Sequence, residues 1–315
     1  TRHASSQCGP GRVIYFMHSK MVFNKPPLSI PEQIHHLRQK GLLLDNEQEA
    51  SHYLTVIGYY RLMIYFKPFL INSEAGIRQF KPNTRFSDLL NLYVFDRELR
   101  LLVTDALERI EVSFRTAISN AMSLKYGAHW YLYADLFSSI EQHHMFLEEV
   151  KSHLKRSHED FIKTYYAKYH QPEHPPSWMV MECISFGTIS KLYANIKDRT
   201  VRKEIGDTLG QYSEIIKSWM RSLTYTRNLC AHHSRLWNRF FVNKPKVPEI
   251  RVPFDHNESP FYLQAYIIHS LLKNSAPDNH WREKLLHLFK NNPSIPFINM
   301  GFSEDWEQDG LWVLE

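Results

Sequence analysis

The chain has 315 residues, of which 43% are hydrophobic and 23% charged, a balance typical of a globular protein with a sizeable core. Its 11 glycines argue against a glycine-rich nucleotide-binding fold and favour helices. Three distant cysteines, at positions 8, 183 and 230, suggest neither a disulfide framework nor a thiolate zinc site and fit a reducing, cytoplasmic setting. No apolar run reaches the roughly 18 residues that span a bilayer, and no signal peptide is visible, so we expect no membrane partner.

The first 86 residues predict a short leader and then helices. Residues 1–20 differ in character from the rest of the chain, and we expect an extraneous or disordered leader. Ser29, Pro31 and Glu32 are typical of a helix start and Gly41 of its end, and a second helix is predicted over residues 46–57. Periodicity does not decide between helix and strand for the apolar residues 59–71. Residues 72–86 are predicted to form a polar loop.

The strongest helical pattern begins at Ser87 and ends near Leu124, ahead of Gly127. Its apolar face repeats every three or four residues, at Leu92, Phe95, Leu99, Leu102, Ala106, Ile110 and Phe114. Acid–base pairs four residues apart are assigned to its other faces, at Asp96–Arg100, Asp105–Arg109 and Glu111–Arg115.

The remainder of the chain continues the helical pattern. Helices are predicted over residues 138–170, 178–197, 201–209, 213–239, 260–272 and 280–289. Prolines predict a loop at 171–177 and an irregular segment at 244–253, and the Trp-rich tail is expected to pack on the body. No alternating strand pattern is visible, so the sequence predicts an all-α fold.

The positive charge of the chain is concentrated in one stretch. Residues 221–251 contain seven basic residues and a single acid and therefore carry +6, whereas the whole chain carries +5. Such a patch attracts phosphate groups. The simpler interpretation is a solvated basic surface without a ligand.

A chemically suggestive motif lies inside this basic stretch. Asn228 directly follows Arg227, and His232 lies four residues after Asn228, so the latter two share a face of the predicted 213–239 helix. An Arg followed by a His after four to six residues is a weak pattern, which this chain repeats at three other places. The Asn, the helix and the surrounding charge make this instance more specific. His233 also satisfies the loose spacing, so either histidine could serve.

The block from Arg227 to Arg239 resembles the R-N-x-x-x-H motif of HEPN ribonucleases. Residues 22–315 are similar to bacterial abortive-infection proteins of the AbiD/AbiF group, in segments that include residues 25–29 (KPPLS), 58–62 (GYYRL), 95–100 (FDRELR) and 108–111 (ERIE). The resemblance implies phage defence by RNA cleavage in the bacterial cytoplasm. It also implies a HEPN-like helical bundle at 86–242, preceded by a helical region at 21–85 and followed by a helical extension at 243–315.

The motif residues suit cleavage of RNA by its own 2′-hydroxyl, which attacks the adjacent phosphorus and leaves a 2′,3′-cyclic phosphate. His232 or His233 would transfer protons, Arg227 would stabilise the charged phosphorane, and Asn228 would orient His232 through a side-chain hydrogen bond. This chemistry requires no metal or cofactor. The other basic side chains are predicted to bind the RNA substrate, namely Arg221, Arg235, Arg239, Lys244 and Lys246.

We expect the active form to be a homodimer, because transesterification needs one group to remove the 2′-proton and another to protonate the leaving oxygen. Two motifs that face each other across a two-fold axis would supply both. HEPN proteins, which this chain resembles, usually pair in this way. The alternative is a monomer with a buried motif helix. An RNA or protein antitoxin could be a further partner.

Other interpretations fit the same residues. His232 could be a core histidine held by Asn228, and Arg227 could pair with Glu108 or Glu111 on the long helix. Metal binding is disfavoured, because the adjacent histidine pairs at 35/36, 143/144 and 232/233 diverge on a helix. A non-catalytic protein that binds a regulatory RNA would use the same basic stretch, whereas a protein-interaction module would leave the charge unexplained.

Overall fold

The structure, a computed structural model, describes residues 23–72, 78–247, 260–308 and Trp312. This part of the chain contains twelve α-helices and one two-stranded sheet, which confirms the predicted all-α fold. In the same residues, no helix combines the length and the apolar character needed to cross a membrane. The expected leader at 1–20 lies outside the described residues.

The contacts divide the chain into two compact units. The first comprises residues up to Arg61 together with Phe69–Phe86, and the second comprises Leu62–Pro68 and the residues from Ser87 onward. The division at residues 21–85, 86–242 and 243–315 stays a prediction.

The first unit holds two helices and a short hairpin, α1 (Ile30–Gln39), α2 (Glu47–Val56), β1 (Leu70–Asn72) and β2 (Arg78–Phe80). The Glu32 carboxylate accepts hydrogen bonds from the backbone N–H and the hydroxyl of Ser29, each at 2.6 Å, so α1 begins where predicted. In the hairpin, Leu70 pairs with Phe80 in antiparallel register. The predicted loop at 72–86 is wrong over β2, because three residues are too few to show an alternating pattern.

The undecided stretch 59–71 is mainly helical, since α3 covers Tyr59–Phe66 before β1 begins. The second unit is built around α4 (Phe86–Tyr126), a helix of 41 residues. Its predicted apolar face is buried except at Leu102, where the neighbouring Val103 takes the core position. The helix ends before Gly127, whose φ of +86° lies in the left-handed region.

Eight further helices complete the described part of the second unit: α5 (Ile140–Arg156), α6 (Asp160–Lys168), α7 (Ser177–Cys183), α8 (Phe186–Asn195), α9 (Arg199–Thr208), α10 (Ser213–Ala231), α11 (Phe261–Ser275) and α12 (Trp281–Lys290). The predicted single helix at 178–197 is wrong. The chain forms two helices there, α7 and α8. The hydroxyl of Ser185 accepts a hydrogen bond from the Thr188 N–H at 3.2 Å and caps the start of α8.

The helix α10 lies against α8, α9 and α11. Gly187 on α8 allows a close approach, because a Cβ atom there would lie 3.3 Å from the Thr224 methyl group on α10. The described part of the tail packs on the helices as predicted. The Trp312 indole is fully buried, lies 3.2 Å from the Tyr262 hydroxyl and stacks on the His269 ring.

Candidate functional site

The predicted motif lies at the C-terminal end of α10. The helix stops at Ala231, and His232 occupies its C-terminal cap. The prediction that the helix continues to residue 239 is wrong. Arg227 and Asn228 are therefore close to the end of the helix, and His232 begins the irregular segment beyond it.

The helix ends here because the backbone at His233 turns into the left-handed region, with φ of +54°. The His233 N–H donates to the carbonyl of Cys230 at 3.0 Å, and the Ser234 N–H donates to the carbonyl of Leu229 at 2.8 Å. These two bonds form a Schellman motif, in which the left-handed residue is usually glycine. The sequence has histidine at that position and so carried no stop signal.

The side chains of Arg227, Asn228 and His232 are all exposed. Within the described part of the chain, they make no side-chain hydrogen bond or ion pair. The interpretation of His232 as a core histidine is therefore wrong. The alternative pairing of Arg227 with Glu108 or Glu111 is also wrong, and Glu111 instead forms an ion pair within α4.

The expected side-chain hydrogen bond between Asn228 and His232 does not occur among the described contacts. The two residues are connected through the backbone, where the His232 N–H donates to the Asn228 carbonyl at 3.0 Å. The position of His232 is thus set by the end of the helix. His233 is exposed as well, so the choice between the two histidines stays a prediction.

A buried carboxylate on α4 holds the segment after the motif. Oδ1 of Asp96 accepts hydrogen bonds from the backbone N–H groups of Leu236 at 3.0 Å and Trp237 at 2.7 Å. Its Oδ2 accepts from the Tyr65 hydroxyl at 2.7 Å and from the Arg100 guanidinium. Burial raises the pKa of Asp96, and these four donors oppose the shift. The carboxylate therefore anchors the chain beyond the motif to the long helix.

The role of Asp96 was not predicted, because the pair with Arg100 was expected on a face of the long helix other than the apolar one. Asp96 is completely buried, and Arg100 is only 6% exposed. A signal was available: Asp96 lies four residues after Leu92 and three before Leu99, and both belong to the apolar face. A carboxylate on an apolar face must find hydrogen-bond donors there.

Two of the predicted RNA-binding residues lie in the segment held by Asp96. The Arg239 Nε atom donates to the carbonyl of Arg235 at 2.6 Å, and its Nη1 lies 3.4 Å from the Tyr225 hydroxyl. Burial lowers the pKa of Arg235, and the nearby Asp96 opposes that shift. Both arginines are half-buried, and the Arg239 side chain stabilises the segment after the motif. The RNA contacts of both stay a prediction.

The other three predicted RNA-binding residues, Arg221, Lys244 and Lys246, line one cavity of about 370 Å³, which we call the basic recess. Lys217 also lines it and was missed, because it lies four residues before the basic stretch of the sequence. The one acid in the lining, Glu214, forms an ion pair with Arg202 at 3.1 Å. Within the described residues these four cations have no ion-pair partner, so the recess is positively charged.

Three hydrogen bonds fix the wall of the basic recess to α10. The Trp219 indole donates to the carbonyl of Lys246 at 2.7 Å, and the Lys246 N–H donates to the Ser218 hydroxyl, also at 2.7 Å. The Ser222 hydroxyl donates to the carbonyl of Asn243 at 2.9 Å. The chain after the motif therefore runs back along α10. It places Lys244 and Lys246 beside Lys217 and Arg221.

Metal-ligating side chains are not clustered in the part of the chain that the structure describes: no group of three or more His, Cys, Asp or Glu residues could hold an ion there. Cys230, next to the motif, is buried. Burial raises the pKa of its thiol to about 12, which disfavours the thiolate form needed for nucleophilic chemistry.

A family model described as "Abi-like protein" matches residues 52–238. The matched region extends from α2 through the motif to the segment held by Asp96. No curated protein and no solved structure gives a significant match to the chain.

Proposed function

The chain belongs to the Abi-like protein family, and from this premise we propose that it is a cytoplasmic, metal-independent endoribonuclease of the HEPN type that acts in abortive infection. The AbiD/AbiF group is the proposed subgroup. The observation that carries the proposal is the exposure of Arg227, Asn228 and His232 at a rigidly held helix end, without a partner in the described residues. Exposed polar side chains without such a partner are available to contact a substrate.

The proposed reaction uses the RNA 2′-hydroxyl as the nucleophile. His232 removes the 2′-proton, the 2′-oxygen forms a bond to the adjacent phosphorus, and the 5′-oxygen leaves and takes up a proton. The planar guanidinium of Arg227 stabilises the negative charge that develops on the phosphorane oxygens. The products are a 2′,3′-cyclic phosphate and a 5′-hydroxyl. The charge of the basic recess supports this proposal, because it would attract the RNA backbone.

The proposed active unit is a homodimer, in which two motifs supply two histidines for the two proton transfers. Activity per protomer should therefore fall when the protein is diluted below its dimer dissociation constant. Sedimentation and cleavage should be measured over the same concentration series, for the wild type and for a mixture of Arg227→Ala and His232→Ala proteins. A monodisperse monomer that cleaves RNA fully at nanomolar concentration would contradict this part of the proposal. An RNA or protein antitoxin is a further proposed partner.

The reaction is tested by incubating the purified protein with total RNA in excess chelator and mapping the cleaved ends. We expect cleavage to persist, to leave 2′,3′-cyclic phosphates, and to spare DNA, which lacks the attacking hydroxyl. Activity that disappears with chelator and returns with Mg²⁺ or Mn²⁺ would refute the mechanism. Tight RNA binding without cleavage would favour the second candidate, a non-catalytic RNA-binding protein, which the basic recess would also serve.

A further inference from the structure

A second, larger cavity lies between α5, α8 and α10. Its volume is about 720 Å³, within the range of roughly 300–1,000 Å³ typical of small-molecule sites. One face of α10 forms a wall, and this wall ends at the motif residue Asn228. The cavity therefore begins beside the candidate active site and extends along the motif helix.

Aromatic rings line the cavity at the α5 side. The His143 ring stacks on Phe137 with centroids 4.5 Å apart, and Phe146 also contributes to this side of the lining. The half-buried Tyr225 ring lines the cavity from α10. The Nε2 atom of His143 lies 2.8 Å from the carbonyl oxygen of Tyr131 and must carry a hydrogen, because a carbonyl only accepts. Its Nδ1 atom is buried and has no hydrogen-bond partner in the described part of the chain.

The cavity adjoins the basic recess, because Lys217, Arg221 and Asn243 line both. Two carboxylates also belong to the cavity lining. Glu149 accepts hydrogen bonds from Thr188 at 2.6 Å and from Lys191 at 3.5 Å, so its charge is already engaged, and Glu141 is exposed. An apolar chamber with aromatic residues in its lining thus lies beside a cluster of cations.

We infer that these two adjoining cavities bind one nucleotide, with the base in the apolar chamber and the phosphate in the basic recess. A flat base stacks on aromatic rings, and a phosphate suits a recess lined by Lys217 and Arg221. The nucleotide could be free in solution or be one residue of an RNA chain, since both offer the same base and phosphate. The inference extends the proposed function but does not depend on cleavage, because Arg227 and His232 do not line the cavity.

Binding is measured by calorimetry on the full-length His232→Ala protein, which the proposed mechanism makes unable to cleave. The ligands are adenosine and uridine 5′-monophosphates, the corresponding nucleosides, inorganic phosphate, and a 2′-O-methyl oligonucleotide of about ten residues, which lacks the attacking hydroxyl. We expect the nucleotides to bind more tightly than the nucleosides or phosphate alone. Displacement of the oligonucleotide by the mononucleotide identifies an RNA residue as the natural ligand, and independent binding identifies a free nucleotide.

Three further substitutions, each added to His232→Ala, test where the nucleotide binds. Arg221→Glu should weaken nucleotide binding about tenfold or more, because it reverses a charge that faces the phosphate. Ala194→Phe should prevent base binding by filling the chamber, with folding checked by circular dichroism. Lys151→Glu is the matched control, because Lys151 is an exposed α5 residue outside both linings, and its effect should stay within about twofold.

The inference is overturned if no nucleotide binds at millimolar concentration, or if binding is unchanged in Arg221→Glu or in a folded Ala194→Phe variant. Since Arg221 is exposed, its variant keeps the test valid even if Ala194→Phe fails to fold. Wild-type protein that cleaves RNA but binds no nucleotide would contradict this inference alone. Nucleotide binding without any RNA cleavage would contradict the proposed ribonuclease alone.

Discussion

The polar groups of the motif at the end of α10 and those of the segment that follows it differ in burial and in hydrogen bonding. Arg227, Asn228 and His232 are exposed and make no side-chain hydrogen bond within the described residues. A few residues further along the chain, the backbone is held by Asp96, which is buried and accepts four hydrogen bonds, one of them from Arg100. The exposed side contributes little to folding, whereas the buried side fixes where the motif lies. Stability and activity should therefore respond to different substitutions.

The largest loss of stability is expected from Asp96→Ala. It leaves the buried guanidinium of Arg100 and two backbone N–H groups without their acceptor, which should lower the free energy of unfolding by about 3–5 kcal/mol. Urea denaturation measures the free energy of unfolding of the variant and the wild type. The control is Asp105→Ala on the same helix, where exposed pairs with Arg109 at 3.4 Å and Lys284 at 3.8 Å should together contribute less than about 1 kcal/mol. Equal losses in the two variants would show that the network does not hold the fold.

A loss of stability of intermediate size is expected when the pH is lowered, and the buried His269 is its expected source. Burial lowers its pKa to about 4, and the nearby Lys273 and Arg282 act in the same direction. The unfolded chain has the ordinary value of about 6.5, so between these values the unfolded state binds more protons and stability falls as pH falls.

Between pH 7 and pH 5 the wild type should lose about 2 kcal/mol of stability through His269. Unfolding curves at the two pH values measure the loss, and His269→Leu should remove it. An equal decrease in the variant and the wild type would assign the acid sensitivity to other groups.

The smallest effect on stability is expected from Arg227→Ala. Because the side chain is exposed and has no ion-pair partner in the described residues, its removal should change the free energy of unfolding by no more than about 0.5 kcal/mol. RNA cleavage should nevertheless fall about 100-fold or more, because the phosphorane charge is no longer stabilised. A large loss of stability together with unchanged cleavage would reverse the roles assigned to the two sides.

Much of the fold could be predicted because helices display their period in the sequence. The α4 face, the capped start of α1 and the helix end before Gly127 all follow from local spacing and local backbone preference. The short hairpin and the break between α7 and α8 could not, since they involve too few residues to form a period. The end of α10 was missed because histidine occupies the left-handed position where glycine is expected.

The candidate site also has parts that could be predicted from the sequence and parts that could not. The motif and most of the basic recess lie within one stretch of sequence and could be found there. The anchoring role of Asp96 depends on hydrogen bonds to residues about 140 positions away, at Leu236 and Trp237, and sequence spacing does not report such contacts. The larger cavity likewise arises only when α5, α8 and α10 pack together.

The most direct test of the ribonuclease proposal compares His232→Ala with His233→Ala. Both histidines are exposed at the end of α10, so both variants should retain the circular dichroism spectrum of the wild type. RNA cleavage in chelator should be abolished by His232→Ala and should persist in His233→Ala. Loss of cleavage only in His233→Ala would show that the wrong histidine was assigned. Normal cleavage by both variants would contradict the proposal that this helix end is the active site.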